Sequence, residues 1–449
     1  MNLIHRPLIA ITACLAAATP VPGQSRQVPA PPQDRPVVIH SATVHPVSGP
    51  VIESGYIVFS EGRITDVGEG TPPTTQDAES IDASGLHVYP GLIASDTYLG
   101  LTETGAVDVT HDHTEHGRMT PEVRAAVAVN PDSDLIPVTR ANGILVAMTF
   151  PRGGTLSGRG SLIRLDGWTW EEMAIEPEAG VVINWPRVTP ISRRWMNRDP
   201  SEQREQAEER IEELDRFFDD AGAYYAAREH DPSLETDLRF EAMRASVEGR
   251  SPVYIRASSG GQIESAVAWA HGRNLKPIIV GGAEADRVIP LLSKHDVAVI
   301  VEGTHRMPSQ RHDAYEQPFA LPAKLHEAGV RFCIASGAEA AHERNLNHNV
   351  ATAAAYGLPA DAALRSVTLS AAEILGVGDR LGSLDAGKSA TLIVTTGDPL
   401  EITTDTLIAY IDGRRIDLGN RQKSLYVKYR QKYEQLGLLK EPEAISGRE

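Results

Sequence analysis

Seven apolar runs, each bounded by Gly or Pro, constrain this chain more than any other feature: "HVYPGLIAS", "GILVAMTFP", "GVVINWP", "SPVYIRAS", "KPIIVGG", "VAVIVEG" and "VRFCIASG". A strand with one wet face alternates apolar and polar residues. A run that stays apolar is buried on both faces, as in a parallel sheet covered by helices. Helical stretches lie between the runs. The clearest opens at "RDPSEQ", where Asp199 caps, Pro200 takes the first helical position, and Ile211, Leu214, Phe217, Phe218 and Ala221 form an apolar stripe. This alternation predicts an α/β fold, a (β/α)8 TIM-like barrel over residues 90–378. With 41% apolar residues in a chain of 449, the core of such a barrel can be filled.

The flanking segments follow another grammar. "VVIHSATVH" and "GYIVFSEGRITDVGEG" precede the barrel, and "GSLDAGKSATLIVTTGDPL" and "TLIAYIDGRRID" follow it, all short, β-branched and turned by "SEG" or "IDGR". They predict one small β-sandwich built from both chain ends, residues 37–89 and 379–420, with a helix and tail over 421–449. A Pro-rich linker occupies 24–36. Before it, His5 and Arg6 lead an apolar stretch too short to span a bilayer, then Pro20 and Pro22, which predicts an export signal over residues 1–23 and a periplasmic protein. An alternative takes "ITAC" as a lipidation box, anchoring the chain through Cys14. Cleavage after Gly23 leaves Cys333 as the single cysteine, so no internal disulfide forms. The 43 basic and 60 acidic residues, formally −17, disfavour nucleic acid and anionic membranes as partners.

In a barrel of parallel strands, chemistry sits where the strands end. The residues there, together with "ATVHPVSGPVIESGYIVFSEGRITDVG", "YPGLIASDTYLGL", "GGTLSGRGSLIRLDGWTWEEM" and above all "GSLDAGKSATLIV", resemble the amidohydrolase superfamily in its exported imidazolonepropionase-like branch. The resemblance runs over nearly the whole mature chain. It implies a divalent metal held by two histidines after the first barrel strand, by histidines on later strands and by an aspartate on the last. In this sequence those places hold Asp96 and Tyr98, then Arg256, then Gly281 and Gly282, then Gly337. Zinc-type sites need three or four N, O or S donors converging at about 2 Å. Asp96 is one donor, a tyrosine hydroxyl titrates near about 10, and Arg256 puts a permanent cation where a metal would sit. No metal or other cofactor is therefore expected, although the family implies one. Asp96 and Arg256 are expected to pair across the barrel mouth, a salt bridge in place of a metal bridge.

Other clusters compete. "VTHDHTEH" packs His111, His113 and His116 with Asp112 and Glu115, which is either a loop metal site or a pocket wall carrying Asp112 and Glu115. "RGGTLSGRGS" is read as a Gly-rich turn that delivers Arg152 or Ser157 to the pocket. Without a following Lys and helix it is a weak phosphate cradle. Glu284 and Glu339 follow strand ends and would serve acid/base chemistry if close together. Ser336 shows no His and Asp partners in sequence, and Cys333 sits within an apolar strand.

These readings leave three functions open. The first is a non-catalytic or supporting subunit beside an active amidohydrolase paralogue, itself oligomeric, with the Tyr-rich "SLYVKYRQKYEQLG" as an interface helix. The second is an active hydrolase of C–N bonds in cyclic amides or acyl dipeptides, using a nonstandard site. The third is a protein that captures a small carboxylate or peptide-like ligand over Arg256.

Overall fold

The apolar runs form the wall of a barrel in the computed structural model, which describes residues 27–190, 199–337 and 340–439. The proposed signal segment and Cys14 lie outside the described residues. Five strands come first: β1 (Val37–Val44), β2 (Ile52–Ser60), β3 (Arg63–Glu69), β4 (Glu79–Asp82) and β5 (His87–Pro90). The barrel sheet follows as β6 (Leu92–Thr97), β7 (Ile144–Thr149), β8 (Leu156–Arg164), β9 (Ala174–Asn184), β10 (Val253–Ala257), β11 (Pro277–Gly281), β12 (Ala298–Val301) and β13 (Phe332–Ile334), each paired with the next. β14 (Leu392–Thr395), β15 (Thr406–Ile411) and β16 (Arg414–Arg415) complete the set.

Alternation along each barrel strand divides two cores. Ile300 of β12 and Tyr254 of β10 point inward with Met148, Phe150, Val280 and Cys333, while Val299, Val301 and Ile255 point outward against the helices. Both faces are buried, which is why the runs read as continuously apolar. The barrel is nearly closed: β6 and β13 share no ladder, but Ser95 Oγ of β6 donates to the Ile334 carbonyl at 3.4 Å. The helix Pro200–His230 is capped by Asp199, which accepts from Ser201 N, and it buries Ala207, Leu214, Phe218 and Ala221 against the wall.

One strand departs from the sequence reading. "LSGRGSLIR", expected as part of a Gly-rich turn, is β8, and it runs antiparallel to both β7 and β9. The other seven barrel strands are mutually parallel. Glycine makes this passage possible, because a Cβ on Gly160 would stand 2.6 Å from the Phe150 ring inside the barrel.

Both chain ends enter one sheet, ordered β16-β15-β14-β5-β1-β2-β3, with β4 beside β1. It folds over on itself as the sandwich expectation requires. Phe59 of β2 and Tyr410 of β15, separated by three intervening strands, meet with ring centroids 4.8 Å apart, and Ile64 N bonds to Lys388 O. Leu392 and Val394 enter this core, while Ile393 faces the other way and packs with Leu145 of the barrel.

Candidate functional site

The inward alternation continues to the strand ends and, on β12, one step beyond. Tyr254 is followed on the same face by Arg256, and Ile300 by Glu302, so charged side chains cap the apolar barrel interior. Arg256 meets Asp96 in a two-pronged contact: Nη2 donates to Oδ1 at 2.6 Å and Nη1 to Oδ2 at 3.0 Å. From the end of β7, Arg152 brings a second guanidinium to Asp96 Oδ1 at 3.4 Å. Each cation also lies against a ring, Arg256 at 5.2 Å from Phe150 and Arg152 at 5.2 Å from Tyr98.

The charge states follow from this geometry. Burial alone would push the Asp96 carboxyl up, but Arg256 and Arg152 outweigh it and hold it below its ordinary value. Burial lowers Arg152, with Asp96 opposing and Arg256 adding to the drop. Two further carboxyls face the pair. Burial raises Glu302, and Arg306 is the strongest opposing influence. Glu343, on the turn Ala340–Asn345, is wholly buried and is pushed up to about 7 by burial, against the pull of the Thr97 and Ser336 hydroxyls. Ser336 Oγ donates to Glu343 Oε2 at 2.9 Å, while among the described residues Glu343 Oε1 meets no donor in hydrogen-bond geometry.

Glu302, Arg306 and Glu343 were not singled out from sequence. The first could have been found by extending the period-2 register of "VAVIVEG" one step. Glu343 carries no local signal, because it reaches the mouth from an irregular segment after β13.

The remaining candidates divide. Tyr98 rims the mouth, its ring 5.2 Å from His113, which stacks on His111 at 5.3 Å. Asp112 and Glu115 on the same loop are exposed, and among the described residues no group of three or more His, Cys, Asp or Glu side chains could hold a metal ion. Glu284 is committed elsewhere: it accepts from Gly260 N at 3.0 Å, at the start of the helix Gly260–Gly272, and from Gln310 at 3.0 Å. Ser157 is buried, its hydroxyl donating to Val182 O at 3.4 Å, so Arg152 alone of that segment reaches Asp96. Cys333 is buried inside the barrel with its thiol pushed up to about 12, inert rather than reactive. Glu339 lies outside the described residues.

The three glycines at ligand places are closed as well as empty. Gly337 has φ +62°, and a Cβ there would stand 2.4 Å from Gly303 N. On Gly282 (φ +55°) it would stand 2.6 Å from Val299 Cγ1, and on Gly281 (φ +105°) 3.0 Å from Ser258 Oγ. The divalent metal implied by the fold does not fit this donor set: both oxygens of the one carboxylate are taken by guanidinium N–H groups, and the positions that would supply further donors cannot carry side chains without moving backbone or packed neighbours.

Comparison with known proteins agrees on the lineage. The profile of the amidohydrolase family matches residues 192–418. The amidohydrolase TasK of Hapsidospora irregularis is 24% identical over 397 residues, covering 80% of this chain and 39% of that protein. The chain thus spans well under half the length of this curated relative. Among solved structures, an amidohydrolase from Thermotoga maritima superposes with a TM-score of 0.75 at 24% identity, covering 85% of this chain and 99% of that one. A prolidase complexed with N-methylphosphonate-L-proline superposes at 0.54 and 16% identity, covering 85% and 99%. These likenesses show the fold, and because the family match extends over just over half of the chain, this protein belongs to the amidohydrolase family.

Proposed function

We propose that this chain is a non-hydrolytic member of its family, exported, whose barrel mouth holds a small carboxylate or peptide-like ligand and which works beside an active relative. The observation that carries the reading is the double guanidinium on Asp96. Asp96 is a single carboxylate shared by two guanidiniums, and Arg152, with its side chain 31% exposed, keeps donors for a second anion. A guanidinium supplies positive charge where the family keeps a metal. It cannot bind water as a ligand or take its proton, so it replaces the recognition role and not the hydrolytic one.

A second reading has its own support. Glu343 is a buried carboxyl poised near neutrality beside Asp96, the kind of group that transfers protons in metal-free hydrolysis of C–N bonds.

The deciding experiment is thermal-shift titration with acetate, N-acyl amino acids and prolyl dipeptides, alongside a hydrolysis panel with and without zinc. The fold neighbour's phosphonate-proline ligand motivates the last class. A saturable shift that Arg152→Ala abolishes, with no turnover, is the expected result. Turnover with zinc would overturn the reading, and turnover without zinc that Glu343→Gln abolishes would favour the second one.

A further inference from the structure

The helix Arg421–Gln435 follows the last strand and lies open to solvent along its length. Asn420 caps it by accepting from Lys423 N at 2.9 Å, yet every one of its residues is exposed and none is buried. Its sequence is not that of a free-standing helix. Leu425, Tyr426, Tyr429 and Tyr433, continued by Leu436, recur every three to four residues and form one apolar face. A helix of this length is marginal in water without packing, and a row of exposed Tyr and Leu marks a docking surface.

Charge identifies the occupant. The helix carries five cations (Arg421, Lys423, Lys428, Arg430 and Lys432) against Glu434 alone, a net +4 on a chain whose total is −17. Two such helices placed against each other would oppose +4 to +4. The complementary surface is the helix Pro200–His230, which holds ten carboxylates against four arginines and leaves Glu202, Glu205, Glu208, Glu209 and Glu212 exposed. We propose that the helix Arg421–Gln435 docks on the Pro200–His230 helix of a second copy of this chain, two reciprocal contacts forming a two-fold dimer. Lys428 and Lys432 meet the glutamates, and the tyrosines lie on the aliphatic stems of that helix with hydroxyls available to the carboxylates. The inference is independent of what the barrel mouth binds.

The test measures mass and dimer dissociation for the full chain by light scattering and sedimentation, at low and high salt. Wild type should be dimeric at micromolar concentration and weaken as salt is raised. Lys428→Glu with Lys432→Glu, or Glu208→Lys with Glu212→Lys, should each weaken the dimer at least about tenfold, roughly 1.4 kcal/mol, and the fourfold charge swap should restore it. All these residues are exposed, so unchanged thermal unfolding will show that each variant folds. Tyr429→Ser with Tyr433→Ser should weaken the dimer at every salt concentration. A monomeric wild type, or a fourfold swap that restores nothing, would overturn the proposal. So would a monomer that binds vesicles containing anionic phosphatidylglycerol, or one that pairs only with another amidohydrolase.

Discussion

Asp166 and Asp96 are both buried, and each faces two arginines, at 2.7 and 3.2 Å from Arg140 and Arg414 in the first case and at 2.6 and 3.4 Å from Arg256 and Arg152 in the second. Their surroundings differ. Asp166 also accepts from Ala30 N at 3.1 Å, while Arg140 donates to Leu165 O and to Gln27, and Arg414 to Ala30 O. This cluster ties the N-terminal segment, the barrel and β16 together, and its ion-pair members Asp166 and Arg140 are only 2% and 5% exposed. At the mouth, the Asp96 carboxylate accepts, among the described residues, only from guanidiniums, and two carboxyls of raised pKa stand nearby. The same trio of one aspartate and two arginines forms a rivet where backbone amides and carbonyls share its hydrogen bonds, and an open pair where the second arginine stays partly exposed.

The most severe way to break this comparison is truncation after Gly378, which removes Arg414 together with β14, β15 and β16. It strips the Ile57, Phe59 and Val88 core of its other half. The expected result is loss of all cooperative unfolding in the remaining meander, a cost on the scale of an entire domain's about 5–15 kcal/mol. A soluble, cooperatively melting fragment would show that the rivet is dispensable.

Single substitutions sharpen it. Arg140→Ala leaves the Asp166 charge short of its main partner and should cost about 3–5 kcal/mol in urea unfolding. Arg152→Ala leaves Asp96 its bidentate partner and should cost less than about 1.5 kcal/mol. Equal costs for the two would erase the distinction.

Acidity provides the next effect. The carboxyl of Glu343 is raised in the folded state, to about 7, against an unfolded value near about 4.3, so its stabilising share is complete at low pH. That share declines as pH rises from about 4.3 through 7, by a total on the order of 3 kcal/mol. Asp96, held below its ordinary value, acts oppositely: its share is present above the unfolded pKa and is lost as pH falls further. Glu343→Gln should therefore flatten the loss between pH 4.5 and 8 while leaving acid unfolding below about 4 in place. A wild-type stability that does not fall across that interval contradicts the burial assigned to Glu343.

The smallest effect concerns metal. Asp96→His with Tyr98→His and Arg256→His offers three donors, and calorimetry should detect only weak zinc binding. Adding Gly337→Asp should lower the melting temperature without improving affinity, since its Cβ meets Gly303 backbone. Tight binding by the fourfold variant would mean that the backbone there yields.

Most of the barrel was legible because burial on both faces imposes an unbroken apolar run, as in "VAVIV", whatever the neighbours. The exception was β8, where Gly158 and Gly160 read as a turn, and only the tertiary neighbours, the Val123 carbonyl against Gly158 and the Phe150 ring against Gly160, show why a strand needs glycine there. Part of the site was legible for the same periodic reason: Arg256 follows Tyr254 on the inward face, so its meeting with Asp96 could be expected. Arg152 was named as a candidate, but not as the second cation on that carboxylate.

The amino-acid sequence by itself determined the buried strands, the joining of both chain ends in one small sheet, and the reduction of the family's ligand positions to the single carboxylate of Asp96 beside Tyr98, Arg256 and glycines. Those properties depend on residue type and local period. Only the tertiary structure decided that the glycines at those positions are sterically closed, that burial raises the Glu343 carboxyl beside Asp96, and that Asp166 is tied to backbone as well as to its arginines while Asp96 is held by Arg256 and Arg152. Each of these depends on which atoms from distant segments approach within a few ångströms, and on how much water they exclude, and neither quantity is encoded in the local order of residues.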